Sequence, residues 1–99
     1  MATLTWTNEA KRWLREIYDY IADEDEAVAF STVTGIVSKT EILMAHPKIG
    51  HKLQQFEHDD IRMLLYGRYR IVYRNHPQSR IDILGVYHGS LDLEKHLKL

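Results

Sequence analysis

The spacing of the apolar residues changes along this chain, and that change most limits its possible folds. Between residues 10 and 45, apolar side chains recur every three or four positions, as on one face of a helix. Beyond residue 60 the repeat becomes two, as in strands with one buried face. Helices that precede hairpin-linked strands favour an α+β domain in which a helix pair covers an antiparallel sheet.

Two helices are predicted in the first half. Residues 4–6 are β-prone, and Thr7 then offers a side-chain oxygen to the first free amides of a helix that ends near Ala22. The acidic residues 23–26 supply a turn and the start of a second helix, which Pro47 ends. Its apolar stripe is Ala29, Val33, Ile36, Val37, Thr40, Leu43 and Met44. The two helices should form an antiparallel hairpin.

The second half predicts a loop followed by three strands. Residues 46–60 contain Pro47, Gly50 and three histidines and are interpreted as a loop. Strands are expected at 61–65, 69–75 and 81–88, with turns at 67–68 and 77–79. A short helical stretch is expected at 92–97. The helix hairpin should pack on one face of this small, mainly antiparallel sheet and leave the other face comparatively open.

Composition places the chain among ordinary globular proteins. Its 99 residues, 44% hydrophobic and 27% charged, suit a single domain spanning residues 1–99. There is no cysteine, so no disulfide or thiolate site is possible, and a reducing cytoplasm fits best. The N-terminus does not look like a signal peptide, and no apolar run approaches the roughly 18 residues of a membrane span. We expect a soluble, cytoplasmic protein without a membrane partner.

Charge is distributed unevenly around a formal net value of -1. Residues 61–80 hold five arginines and no acid. These cations either form a positive face that attracts nucleic acid or an acidic protein segment, or lie on solvated sheet edges. The six histidines lack the spacing of metal ligands, and no glycine-rich loop cradles a phosphate, so neither metal nor cofactor is expected.

Several short groups of residues occur in a fixed order over nearly the whole chain. They are Trp6, Thr7 and Ala10; Tyr20, Ile21 and Ala22; His46, Pro47 and Gly50; Arg62 and Leu64; the run 69–74; and Val86, His88 and Gly89. In this order they resemble the RelE/ParE toxin superfamily, closest to its ParE branch. The resemblance implies a growth-inhibiting bacterial toxin of a plasmid or chromosomal type II toxin–antitoxin system. A cognate antitoxin would wrap around it and would alone bind operator DNA.

Two targets are known within that superfamily. RelE-like members cut messenger RNA on the ribosome, whereas ParE-like members poison DNA gyrase without being nucleases. Where RelE has two arginines of its active site, this chain has Leu65 and Gly89, so that site is not reproduced. The favoured interpretation is therefore a non-enzymatic gyrase inhibitor with no catalytic residues. Its expected antitoxin- or target-binding residues are Arg62, Arg70, Tyr73, Arg74 and His88.

A ribosome-dependent mRNA endonuclease remains the first alternative, because some relatives of RelE use a histidine near the end of the last strand. His88 would then donate the proton, with Tyr87 beside it. Arg62 and Arg70 would hold phosphate charge, and Glu57 or another loop acid would act as base.

Other interpretations of the same residues stay open. His88 and Tyr87 could simply pack at the end of their strand. Arg62 and Arg70, at matching places on adjacent strands, could brace the fold through acids such as Asp60 and Asp82.

A third function is a toxin fold that has lost its toxicity and acts as an antitoxin-binding co-repressor. The family commonly carries an arginine two residues after the position of Gly89, whereas this chain has Leu91.

Overall fold

The computed structural model describes residues 2–89 and confirms an α+β fold with a helix hairpin on a mixed five-stranded sheet. The predicted helical stretch at 92–97 and Leu91 lie outside the described residues. The elements are β1 (Thr3–Trp6), α1 (Asn8–Ala22), α2 (Glu26–Glu41), a 3-10 turn (Ile42–Met44), β2 (His51–Lys52), β3 (Ile61–Tyr66), β4 (Tyr69–His76) and β5 (Arg80–His88).

Side-chain caps fix the start of both helices. The Thr7 hydroxyl oxygen accepts a hydrogen bond from the Ala10 amide at 3.1 Å and donates one to the Ile83 carbonyl at 2.7 Å. The first bond satisfies an otherwise unpaired amide, and the second ties the helix start to β5. Asp25 caps α2 through the Val28 amide at 3.2 Å. The predicted cap at Thr7 is thus confirmed.

The strand order is β1-β5-β4-β3-β2, with β1 parallel to β5 and the other pairs antiparallel. The predicted loop at 46–60 was wrong in one respect, because His51 and Lys52 pair with Met63 and Arg62 as β2. Two polar residues carry no alternating pattern, so only the pairing with β3 makes them a strand.

One core lies between the sheet and the helices. Its fully buried members come from α1, α2, the 3-10 turn, β4 and β5; they include Ala10, Ile36, Leu43, Ile71, Tyr73, Ile81, Ile83 and Val86. The helix hairpin thus packs on one face of the sheet, as the sequence predicted.

The opposite sheet face, called the far face below, is less open than predicted. It carries a second cluster of buried residues, namely Leu53, Ile61, Val72 and Tyr87. Phe56 from the loop before β3 and Trp13 from α1 pack against this cluster. The expectation of an open face failed because part of the loop folds back over the sheet and buries apolar surface there.

The helical segment Glu26–Met44 is long and apolar enough to cross a membrane, judged by length and composition alone. This length exceeds the apolar runs that were expected from the sequence. Within it, Ala29, Ile36, Thr40 and Leu43 are buried. A core helix needs apolar residues for this packing, so the segment is weak evidence for a membrane span.

Candidate functional site

The register of β3 and β4 separates the arginines onto two faces of the sheet. Arg62 lies opposite Tyr73, whereas Arg70 lies opposite Leu65. Because side chains alternate along a strand, Arg62 shares the helix-covered face with Tyr73, and Arg70 belongs to the far face. The expectation that Arg62 and Arg70 occupy matching places on adjacent strands was therefore wrong.

Arg62 holds the loop before β2 in place. Its Nε donates to Asp60 Oδ1 at 2.9 Å, and one terminal nitrogen donates to the carbonyls of Lys48 and Gly50, both at 3.0 Å. The other Asp60 oxygen accepts from the Asn75 amide nitrogen at 3.0 Å. A guanidinium that satisfies two carbonyls and a carboxylate is a structural brace. This contact with Asp60 agrees with the bracing interpretation of Arg62.

Tyr73 is enclosed by the same loop. Its hydroxyl donates to the Pro47 carbonyl at 2.8 Å and accepts from the Gly50 amide at 2.9 Å. The side chain is fully buried, and this desolvation raises the pKa of Tyr73. A Cβ on Gly50 would lie 2.6 Å from the hydroxyl oxygen, so the close approach requires glycine. Tyr73, expected to bind a partner, cannot contact one in this position.

The far face presents two arginines on β4. Arg70 and Arg74 flank the buried Val72, and Arg74 lies 3.7 Å from an Asp59 carboxylate oxygen. Leu65, the cross-strand neighbour of Arg70, is 62% exposed. An exposed leucine beside a guanidinium combines apolar area with a directional cation, which is a common composition of protein interfaces. We call Leu65, Arg70 and Arg74 the far-face patch.

Both arginines of this patch were expected from the sequence to bind a partner, whereas no surface role was expected for Leu65. A signal was present, because Leu64 and Leu65 are adjacent in a strand of alternating pattern. Only one of two neighbouring leucines can face the helix-covered core. Leu64 does so and is nearly fully buried.

Asp82 lies on the far face, near the start of β5. It lies opposite Arg74 in the register, and one of its oxygens is 2.8 Å from His76 Nε2. Its other oxygen is 3.6 Å from Arg80 Nε. Asp82 therefore contacts His76 and forms an ion pair with Arg80.

A β-bulge in β5 decides which way its last residues face. The pairing shifts between Val72 and Tyr73, so Leu84 is the extra residue of the bulge. Ile83 consequently faces the helices, while Tyr87 faces the far side of the sheet.

Tyr87 is fully buried there, with its ring 4.8 Å from that of Trp13. Burial, followed by the charge of Glu9, raises the pKa of Tyr87 to about 12.

His88 ends β5 on the helix-covered side. It is exposed, and its ring meets that of Tyr69 edge to face with centroids 6.1 Å apart. Arg62 lies on the same side of the sheet as His88 but two strands away from it. It is also four residues, or about 13 Å, from the end of β3 that is level with His88. Arg70 and Tyr87 face the opposite side. The four residues of the nuclease alternative thus do not converge on one cleft.

Two further candidates from the sequence are Glu57, as a catalytic base, and the histidines and acids, as metal ligands. Glu57 is exposed in the loop before β3. Within residues 2–89, no group of three or more histidine, aspartate or glutamate side chains could hold a metal ion.

Comparisons with known proteins agree with this architecture. The family described as "ParE toxin of type II toxin-antitoxin system, parDE" matches residues 4–93. A solved chain from the chromosomal ParDE TA system of P. aeruginosa superposes with a TM-score of 0.73 at 25% identity, covering 89% of this chain and 96% of that one. A search of curated protein sequences gave no significant match.

A second solved structure is the toxin–antitoxin complex RelBE2 from Mycobacterium tuberculosis. It gives a TM-score of 0.54 at 24% identity, covering 88% of this chain and 96% of that one, and it shows the fold alone. The family match spans nearly the whole chain, both helices and all five strands of the described sheet. This chain belongs to the ParE toxin family of type II toxin–antitoxin systems.

Proposed function

We propose that this chain inhibits DNA gyrase as a protein ligand, without cleaving nucleic acid, and that a cognate antitoxin neutralises it. Membership of the ParE family supports this function. One geometric observation favours it over the RelE-like alternative: Arg62 and His88 lie at opposite ends of one face, while Arg70 and Tyr87 face the other side. In-line attack by a 2'-hydroxyl needs acid, base and cations around one phosphate.

The antitoxin is proposed to bind the far-face patch with an acidic segment. A ParDE toxin–antitoxin system among the structural neighbours supports an antitoxin as partner. The guanidinium fork of Arg70 suits a bidentate carboxylate, and exposed Leu65 provides apolar area beside it. Arginine is one of the residue types that most often carry the binding energy of a protein interface.

The function is tested by adding the purified protein to gyrase supercoiling of relaxed plasmid and, in parallel, to a translation reaction with mapped messenger RNA ends. Inhibited supercoiling with intact message supports the proposal. Codon-phased cleavage with unaffected supercoiling overturns it in favour of the mRNA endonuclease. If neither supercoiling nor the messenger RNA is affected and the protein binds the antitoxin tightly, the non-toxic co-repressor is indicated instead.

The binding surface is tested separately with charge reversal. Arg70→Glu should weaken antitoxin affinity by about ten-fold or more, since it replaces a pairing cation with a repelling charge. Arg15→Glu makes the same change on α1, where the side chain is 84% exposed, and should leave affinity within about two-fold. Equal losses in the two variants would mean that only net charge matters and would remove the patch from the interface.

A further inference from the structure

The helix hairpin carries an apolar groove on its outer side, away from the far-face patch. The groove has a volume of about 600 Å³ and lies between α1 and α2. Its apolar lining consists of Trp6, Leu14, Tyr18, Val33 and Val37. Phe30 lies one turn before Val33 on the same side of α2 and is 66% exposed. We call this groove together with Phe30 the hairpin face. Apolar area gathered in this way on a surface usually marks an interaction site.

The core of the domain accounts for little of the apolar character of α2. Residues 27–38 contain no charged residue. The most apolar window of the segment Glu26–Met44 is only 22% buried within the structure. A helix at the surface of a globular domain normally carries charged residues on its outer side. The uncharged outer side of α2 therefore indicates that another surface covers it.

The charged residues that line the groove are ordered along α1. Lys11 lies near the start of this helix, and Asp19 lies about two turns later. The acids at residues 23–26 continue the negative charge beyond Asp19. One end of the groove lining is thus basic and the other end acidic. Such a face is complementary to a second copy of itself that is turned around by a two-fold axis.

We infer that two copies of this chain associate through their hairpin faces about a two-fold axis. The two α1 helices run antiparallel, so that Lys11 of one copy lies beside Asp19 of the other. The four helices of the two hairpins form a bundle, which buries the apolar groove and Phe30 of both copies. This inference does not rest on gyrase inhibition, because it concerns the protein alone.

Arg15 is the residue that this arrangement has to accommodate. It lies midway between Lys11 and Asp19 in the sequence, so the two copies of Arg15 meet at the axis. Each guanidinium has a compensating charge in its own molecule, because Arg15 Nε is 3.9 Å from Asp19 Oδ2. The side chain is also 84% exposed and long enough to direct its charge to solvent. The repulsion at the axis is therefore weak.

A lipid surface is the other occupant that an apolar helix face suggests. Helices that lie on membranes carry lysine and arginine beside their apolar side, and anionic head groups attract these cations. Here α2 begins at Glu26 and ends at Glu41, and further acids occupy residues 23–25. Anionic lipid would repel this acidic border. The charges therefore favour a second copy of the chain over a membrane.

Sedimentation velocity of the purified protein at about 5–500 μM measures the association. The face is only as long as two short helices, so we expect a Kd of about 10–100 μM. Phe30→Ser should raise this Kd at least about ten-fold, because it removes an apolar anchor. Leu65→Ser is the matched control, since Leu65 is 62% exposed on the far face, and it should change the Kd less than about two-fold. A monomer at every concentration, or equal effects of the two serines, would overturn the inference.

Charge exchange tests the antiparallel arrangement. Lys11→Asp and Asp19→Lys should each raise the Kd about ten-fold or more, because the symmetry makes each substitution act at two contacts. The double variant restores opposite charges and should associate at least about five-fold more tightly than either single variant. Lys52→Asp makes the same change in exposed β2 and should shift the Kd less than about two-fold. A double variant that associates no better than the single variants would contradict the pairing.

A single cysteine near the axis gives a measurement that does not depend on the Kd. Arg15→Cys should form a disulfide between two copies in glutathione buffer, since bonding requires Cα atoms within about 7 Å and the chain has no other cysteine. Lys52→Cys is the control and should form at least about ten-fold less. Equal yields would refute the contact. Binding to vesicles of phosphatidylcholine and phosphatidylglycerol that Phe30→Ser abolishes, without the Arg15→Cys disulfide, would assign the face to a membrane instead.

Discussion

Replacing Tyr73 with phenylalanine removes one hydroxyl and keeps the buried ring. That hydroxyl joins two parts of one loop, by donating to the Pro47 carbonyl and accepting from the Gly50 amide. Gly50 is itself buried, so water cannot easily replace the lost partner. The substitution therefore leaves an amide without its acceptor and a carbonyl without a donor.

The expected destabilisation follows from that unpaired amide. Leaving a buried donor unsatisfied costs about 1–3 kcal/mol, whereas removing both partners of a hydrogen bond can be nearly neutral. For a domain of this size, each kcal/mol lowers Tm by roughly 4–8 °C. We thus expect Tyr73→Phe to lower Tm by roughly 4–24 °C and to shift the urea midpoint by about 1 M without changing the m-value.

Urea and thermal unfolding followed by circular dichroism measure this loss. Tyr20→Phe is the matched control, because its side chain is 84% exposed and its hydroxyl faces water. Its free energy of unfolding should stay within about 0.5 kcal/mol of the parent value. If Tyr73→Phe changed stability no more than Tyr20→Phe, the loop would not depend on the buried hydroxyl and the argument would fail.

Three further predictions concern pH, packing and activity. Burial raises the pKa of Tyr87 to about 12, so above pH 10 this tyrosine loses its proton more readily in the unfolded chain than in the folded one. The free energy of unfolding should therefore fall as the pH rises between 10.0 and about 12. Urea titrations at about pH 9 and 11 should show a smaller fall in this free energy for Tyr87→Phe than for the parent protein. Gly35→Ala places a methyl group against the Tyr66 ring and should cost about 1–3 kcal/mol in urea unfolding; a neutral result would show that the ring shifts freely. His88→Ala should keep supercoiling inhibition within about two-fold, since exposed His88 has no catalytic role in the favoured function; loss of inhibition without loss of fold would contradict it.

The elements that the sequence predicted correctly are those with local signals. Thr7 marks the start of α1, Pro47 follows the end of the second helical segment, and Gly67 adopts a positive φ of 57° in the hairpin turn. Each signal acts within a few residues of the element that it bounds. Strand β2 has no such signal, because His51 becomes extended by pairing with Met63, which follows a loop. Such long-range pairing is not visible in a short window of sequence.

The sequence allows a partial prediction of which face of the sheet each arginine occupies. The turn after Tyr66 pairs it with Tyr69, and residues equally distant from a two-residue turn face each other in a hairpin. Counting back from that turn places Arg62 opposite Tyr73, so its separation from Arg70 was already present in the sequence. The reversal of Tyr87 had only a weak signal, because Gly85 follows the bulge residue Leu84 and an isolated glycine within a strand often marks a bulge without fixing its position.

The pairing of the arginines bears on the kind of partner that this protein can bind. A polyanion such as RNA is held mainly by several cations that neutralise successive phosphates. Here Arg62 is bound in the loop brace, Arg74 is near Asp59, and Arg80 is near Asp82. The five arginines of residues 61–80 therefore do not add up to one positive face. Local charge balance of this kind favours a partner that makes a few directed contacts beside exposed apolar area, as a protein segment does, over a nucleic-acid strand.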